Sequence, residues 1–200
     1  SFAYSYNNAN QRTSVTNVDN ARWVYTYDSL GQVTSGKKYW IDGTPVAGQQ
    51  FQYGFDDIGN RRTTAAGGNT NGANLRAASY APNNLNQYIS RTVTGAVDVI
   101  GIAFYTNSVS VNGNTNVSRK AEYYQAVVTT NNSTGAVWLG ITNSSGGATI
   151  SGNLFIPQTP ETFGYDADGN LTNSGRWTIA WDAENRATSF TRIANAPEAS

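Results

Sequence analysis

The chain contains no cysteine, no methionine and no histidine. Without cysteine there is no disulfide framework, so stability has to come from aromatic burial and sheet pairing. Without histidine or cysteine, neither a histidine-based triad nor a thiolate nucleophile exists, and zinc sites built from those residues are excluded. Charge is also scarce, with thirteen basic and thirteen acidic residues that balance to zero. A neutral chain without a basic stripe carries no nucleic-acid footprint. No apolar run is long enough to span a membrane as a helix, and no secretory leader is recognisable. The first residue is Ser1. A start without methionine reads as a processed product or a piece of a longer polypeptide, and the lack of thiols and thioethers suits an oxidising exterior.

Asn, Thr, Gly and Ser supply 84 of the 200 residues, which is turn and strand-surface chemistry, while strong helix formers are few. Twelve Tyr, seven Phe and five Trp argue against disorder for so polar a chain. The composition predicts an extracellular all-β protein with a core of useful size.

One pattern recurs along the chain. Its clear copies occupy 25–35, 53–63 and 163–173, a fourth occupies 179–189, and degraded copies lie at 4–14 and 83–90, the last preceded by Tyr80. Each reads as strand, tight turn, strand. Aromatics at alternate positions (Tyr25 and Tyr27, Tyr53 and Phe55, Phe163 and Tyr165) share one sheet face. The following acid (Asp28, Asp56, Asp166 or Asp182) can bond its own backbone two residues on. Three residues later stands a glycine (Gly31, Gly59, Gly169) or an asparagine (Asn10, Asn86, Asn185), the residues that tolerate positive φ. Repetition of this kind means a stacked or wound architecture in which each unit buries its face against its neighbours.

These residues resemble the YD-repeat family, also called Rhs repeats, whose signature is Tyr-Asp-x-x-Gly-Asn-Arg/Leu-Thr. Tyr165-Asp166-Ala-Asp-Gly169-Asn170-Leu171-Thr172 matches it throughout. Phe55 to Arg61 departs at the aromatic and at the residue after Arg61, and Tyr27 to Thr34 substitutes Gln32 and Val33. The resemblance covers residues 1–93 and 161–193. It implies a β-hairpin ribbon that in long family members winds into a hollow shell on bacterial surfaces or around toxins.

The repeats divide the chain into a first ribbon segment, 1–93, and a second, 161–193, with a tail at 194–200 that reads as frayed. The first segment has linking loops at 42–45 and a flexible stretch at 65–72. Residues 94–160 carry no copy and read as an inserted small β-sandwich-like unit of about four to six short strands with its own turn signals.

Carboxylate pairs that could hydrolyse glycosides exist at Asp56/Asp57 and Asp166/Asp168, but an acid recurring at one frame position is what a turn requires. The expectation is a protein that is not an enzyme and uses no cofactor. Asp166, Asp168 and Asn170 are close-spaced oxygen donors and a weak calcium candidate, with the turn reading preferred. On a solvent-facing sheet, Trp40, Trp138, Trp177 and Trp181 could stack on sugars, whereas the period-two placement of Tyr27, Phe55, Tyr165 and Trp181 favours the core.

The functional expectation is a secreted or cell-surface structural module that self-associates as a filament or sheath subunit. Its assembly edges would be Phe2, Tyr4 and Tyr6 at one end and Phe190 and Ile193 at the other, in head-to-tail β contacts. The alternatives are a fragment of a longer YD-repeat shell or toxin-carrying polypeptide, and an adhesin that binds glycans.

Overall fold

A computed structural model describes residues 1–194, 196 and 197. The described residues form an all-β fold without helices. The first four repeats and their links supply β1 (Ala3–Tyr6), β2 (Arg12–Thr16), β3 (Arg22–Tyr27), β4 (Val33–Tyr39), β5 (Pro45–Phe55), β6 (Arg61–Gly67), β7 (Leu75–Pro82) and β8 (Tyr88–Arg91). The middle of the chain supplies β9 (Ala96–Ile102), β10 (Val109–Val111), β11 (Ser118–Lys120), β12 (Tyr123–Thr129), β13 (Val137–Ser145) and β14 (Ala148–Ile156). The last two repeats supply β15 (Glu161–Thr162), β16 (Gly164–Tyr165), β17 (Leu171–Asn173), β18 (Trp177–Trp181) and β19 (Ala187–Arg192).

These strands gather into two compact units. Unit 1 holds residues 1–77, 98–107 and 116–126, and unit 2 holds 78–97, 108–115 and the described part of 127–200. Of the middle segment, residues 98–107 and 116–126 fall in unit 1, and 94–97, 108–115 and 127–160 fall in unit 2.

In unit 1, β1 to β6 form an antiparallel meander in chain order. A second sheet has the order β11-β12-β9, and the buried apolar residues of this unit are Val15, Ala21, Val46, Ala47, Val99, Tyr124 and Ala126. Gly48 of β5 has φ +78°, and a Cβ there would stand 3.0 Å from Gln125 and 3.1 Å from Ile100. Glycine is required at this close approach. Gln50 is fully buried and donates to the carbonyls of Lys38 and Val46 at 2.7 and 3.1 Å, so no polar atom is stranded where β4 meets β5. The stretch 65–72 is more ordered than its glycines suggest. Ala65, Ala66 and Gly67 pair with Gln52, Phe51 and Gln50, and the Arg76 guanidinium lies where a side chain on Gly67 would sit.

Unit 2 contains the sheets β7-β8-β15, β10-β13-β14 and β16-β17-β18-β19. The ribbon resumes directly after the middle segment. Glu161 and Thr162 of β15 pair with Arg91 and Ser90 of β8, and the Phe163 N–H donates to the Ile89 carbonyl. Buried Glu161 accepts from Arg91 Nε at 2.5 Å and from the Gly175 N–H at 3.1 Å, tying β15 to the β8 strand and to the turn before β18. Val109, Val111, Ile156, Ile179 and Ala196 are the buried apolar residues here. The remaining tail positions 195 and 198–200 lie outside the described residues.

The repeat aromatics are not the interior. Tyr27, Phe55, Tyr165 and Trp181 are half-buried, and Tyr124 alone among the described aromatic residues is buried. The sequence reading is corrected here: alternation places these rings together on one sheet face, and that face remains partly open. Their polar ends, where present, lie against a neighbouring hairpin.

Candidate functional site

The repeated element is a three-residue hairpin loop closed in the same way in all six repeats, and the Asn69–Ala73 turn outside them is closed identically. In the second repeat, the Asp28 N–H donates to the Gln32 carbonyl and the Gly31 N–H to the Asp28 carbonyl, at 3.0 and 3.1 Å. The Asp28 carboxylate accepts from the N–H groups of Leu30 and Gln32 at 3.0 and 2.9 Å. Asn7, Asp56, Asn83, Asp166 and Asp182 do the same for their own turns. The residue three places on is left-handed in every copy, with φ +83° at Gly31, +92° at Gly59, +86° at Gly169, and 60°, 62° and 59° at Asn10, Asn86 and Asn185. This is a type I turn followed by a left-handed residue, which forces a bulge into the ladder. The bulges fall where expected: Tyr6 pairs with Arg12, Tyr27 with Val33, Phe55 with Arg61, Pro82 with Tyr88, Tyr165 with Leu171 and Trp181 with Ala187.

At three of the turns, those of Asp56, Asp166 and Asp182, the closing carboxylate has its pKa lowered. At Asp56 and Asp166 desolvation raises the pKa. It is outweighed by hydrogen bonds from the side chain and N–H of Asn60 or Asn170 and from further turn N–H groups, and the net shift is downward. The N–H and guanidinium of Arg186 lower Asp182. Both Asp166 oxygens are occupied, Oδ1 by the N–H groups of Asp168 and Asn170 and Oδ2 by Asn170 Nδ2. In the calcium candidate Asp166, Asp168 and Asn170, the Asp166 carboxylate and the Asn170 amide are thus engaged with each other within the turn.

Two contacts pass from one hairpin to the next in a fixed frame. First, the aromatic before the turn acid donates to a backbone carbonyl of the preceding repeat. Tyr27 reaches Arg12 at 2.7 Å, Tyr165 reaches Tyr88 at 3.0 Å, and Trp181 Nε1 reaches Leu171 at 2.8 Å. Each acceptor is the bulge partner of the preceding repeat's aromatic-position residue. Phe55 holds the same position without a donor. Second, the residue following the left-handed position reaches the left-handed residue of the next turn. Gln87 Nε2 lies 3.5 Å from the Gly169 carbonyl, and Asn170 Nδ2 donates to Asn185 Oδ1 at 2.8 Å. Gln11 lies 3.1 Å from where a Cβ on Gly31 would be.

The sequence signal for the turns is strong, whereas the staple is visible only once the acceptor carbonyls are placed. The sequence reading also omits turns with the same backbone bonds at Asn17–Ala21 and Trp40–Thr44. There the capping acid, Asp19 or Asp42, stands in the middle of the turn and bonds the N–H two residues on.

Of the expected assembly edges, Phe2, Tyr4 and Tyr6 are exposed on or beside β1, which is paired only with β2, and Arg12 lies 4.8 Å over the Tyr4 ring. Phe190 is 60% exposed on β19, whose one partner among the described strands is β18. Ile193 differs: it is half-buried and its N–H donates to the Arg176 carbonyl at 3.0 Å, so it seals the strand end.

No family model matches the sequence, and no curated protein matches it. Among solved structures, the crystal structure of TcdB2-TccC3-Cdc42 is similar over 96% of this chain at 13% identity, with a TM-score of 0.42. TcdB2-TccC3 without its hypervariable C-terminal region is similar over 98% of this chain, again at 13% identity and a TM-score of 0.42. The Tc holotoxin pore of Photorhabdus luminescens is similar over 96% at 12% identity, with a TM-score of 0.40. This chain spans 10% of the length of each of these. No helix among the described residues is long and apolar enough to cross a membrane.

Proposed function

We propose that this chain is a non-catalytic structural module of the YD-repeat type, exposed outside the cell, that works by stacking hairpins on hairpins. One observation carries the reading: the inter-hairpin staple is made across 77 residues of sequence (Tyr165 to Tyr88) as readily as across 15 (Tyr27 to Arg12). Covalent adjacency is therefore not what brings two repeats together. A hairpin supplied by another copy satisfies the same geometry. In a head-to-tail contact, β19 of one copy pairs with β1 of the next, and the half-exposed Tyr6 donates to the Ala187 carbonyl, the corresponding frame position. Such a heterologous contact propagates unless its rotation closes a ring. The low net charge leaves little repulsion against stacking.

Electron microscopy and light scattering of the chain at rising concentration test this. Regular filaments that disappear in Phe190→Asp support it, and a monodisperse monomer at high concentration overturns it. The second reading is that further repeats of one longer polypeptide continue the wall, as in a toxin-carrying shell. Its support is that β1 and β19 each have a single neighbour among the described strands, so a further hairpin fits at either end. It predicts a stable monomer for the extended polypeptide and irregular association of the isolated chain.

A further inference from the structure

Residues 123–160 contain no Asp, Glu, Lys or Arg. Within them, β13 and β14 form a hairpin of nine consecutive pairs, from Val137 with Ile156 to Ser145 with Ala148, with no shift of register. Its loop is Gly146-Gly147, with φ of +56° and +82°, the signature of a two-residue type I′ turn. In such a hairpin the pair flanking the loop exchanges both hydrogen bonds, and bonded and non-bonded pairs alternate from there. Ala148, Ile150, Gly152, Leu154 and Ile156 therefore bond inward to β13. Thr149, Ser151, Asn153 and Phe155 turn their N–H and C=O groups toward the outer edge. That edge has no strand beside it in the sheet order β10-β13-β14, and residues 148–154 are exposed. Exposed edges are ordinarily guarded by lysine, proline or a bulge, and β14 carries none of these.

We propose that β14 is an interaction surface for β14 of a second copy, paired antiparallel about a two-fold axis at Gly152. Charge selects the occupant. The Arg176 guanidinium stands 5.0 Å over the Phe155 ring, at the end of β14 away from the loop, but a charged strand laid along 148–154 meets no charge of that segment's own, whereas a second β14 brings none. The axis at Gly152 uses all four outward residues, with Thr149 opposite Phe155 and Ser151 opposite Asn153, each pair exchanging both bonds. It also sets Ile150, 73% exposed, opposite Leu154, 41% exposed, in the close non-bonded pairs where side chains meet. Moving the axis to Ser151 or Asn153 loses outward pairs and sets Ile150 or Leu154 opposite glycine. Leu139 and Ile141, which pair with Leu154 and Gly152 across the hairpin, extend the apolar stripe on the same face. This interface uses a different edge from the head-to-tail contact and closes on itself as an isologous pair.

The absence of cysteine makes the test clean. Gly152→Cys places one thiol on the axis, where a non-bonded pair has a Cα separation of about 4.5 Å, within disulfide range. A Cβ at 152 meets nothing within 4 Å, so the fold accepts it. Under mild oxidation this variant forms a disulfide-linked dimer, while Ile150→Cys, several residues from its own symmetry mate, does not. In sedimentation the unmodified chain dimerises. Asn153→Pro removes an outward N–H and weakens the dimer by about tenfold or more without lowering the melting temperature. Ile150→Lys, at a surface position, does the same if proline disturbs the strand. Equal crosslinking at 150 and 152, no crosslinking at 152, or a dimer indifferent to both surface variants overturns the proposal. Phe190→Asp leaves the crosslink unchanged, which separates this interface from the stacking contact.

Discussion

Two kinds of hairpin stand side by side in unit 2. The β16–β17 hairpin is short, turns on an ionised Asp166 and a left-handed Gly169, and touches the repeats before and after it through Tyr165 and Asn170. The β13–β14 hairpin is long, turns on two glycines and contains no charged residue. The first kind spends its side chains on locking one conformation and one pair of neighbours. The second specifies its own register and leaves an edge free. A repeat is thus tied to its neighbours through side chains, whereas the inserted hairpin fixes its own register through its backbone ladder.

Breaking the turn gives the largest effect. Gly169→Val places a β-branched residue at φ +86°, with its Cβ 3.3 Å from Gln87, and should cost about 2 kcal/mol or more. Urea unfolding measures this as a lower midpoint. An unchanged midpoint would mean that the left-handed position is not a constraint on the fold.

The staple comes next. Tyr165→Phe removes the hydroxyl that reaches the Tyr88 carbonyl while keeping the ring, and should cost about 1 kcal/mol. The reciprocal change sharpens the comparison. Phe55→Tyr restores the missing donor in the third repeat, whose frame acceptor is the Val33 carbonyl, and should raise stability by up to about 1 kcal/mol. If Phe55→Tyr lowers stability while Tyr165→Phe also does, the staple is local to unit 2 and not a property of the repeat.

The all-β fold and the turns were legible because Asp, then Gly or Asn three residues on, is a local code with a local cause. The staples were not, since a phenol's acceptor is a carbonyl up to 77 residues away and no pattern in the sequence marks it. The burial of the aromatics was misread for a related reason: period two fixes which face a ring occupies but not whether anything covers that face. Asn17–Ala21 and Trp40–Thr44 escaped because Asp19 and Asp42 cap from the middle of the turn. The open edge of β14 depends on sheet order, which alternation alone does not encode.

Acid should separate the two hairpins. Asp56, Asp166 and Asp182 have folded-state pKa values below their ordinary value. A depressed carboxylate contributes stability that is present above the unfolded pKa of about 3.9 and is lost as the pH falls through the folded value. With no histidine in the chain, the melting temperature should be level from about pH 8 to pH 5 and fall below about pH 4. Amide exchange should show the Asp166–Asn170 turn opening first, while the β13–β14 ladder, which has no carboxylate, stays protected. Equal loss of protection in both would assign acid sensitivity to global repulsion.

The smallest effect is expected where the same substitution meets the opposite environment. Gly152 lies mid-strand in β14, outside the left-handed region, and a Cβ there meets nothing within 4 Å. Valine at this position loses no close approach and gains the strand preference of a β-branched residue, so Gly152→Val should shift stability by no more than about 0.5 kcal/mol, in the favourable direction. Set beside Gly169→Val, it contrasts a left-handed glycine with an extended one in hairpins of one unit, the neighbour at 169 being the flexible end of the Gln87 side chain. Urea midpoints should therefore differ clearly between the two variants while their slopes agree. A large loss at Gly152 would show that β14 is pressed against something on its exposed face, and matching small losses at both would remove handedness as what distinguishes the repeat turn from the inserted hairpin.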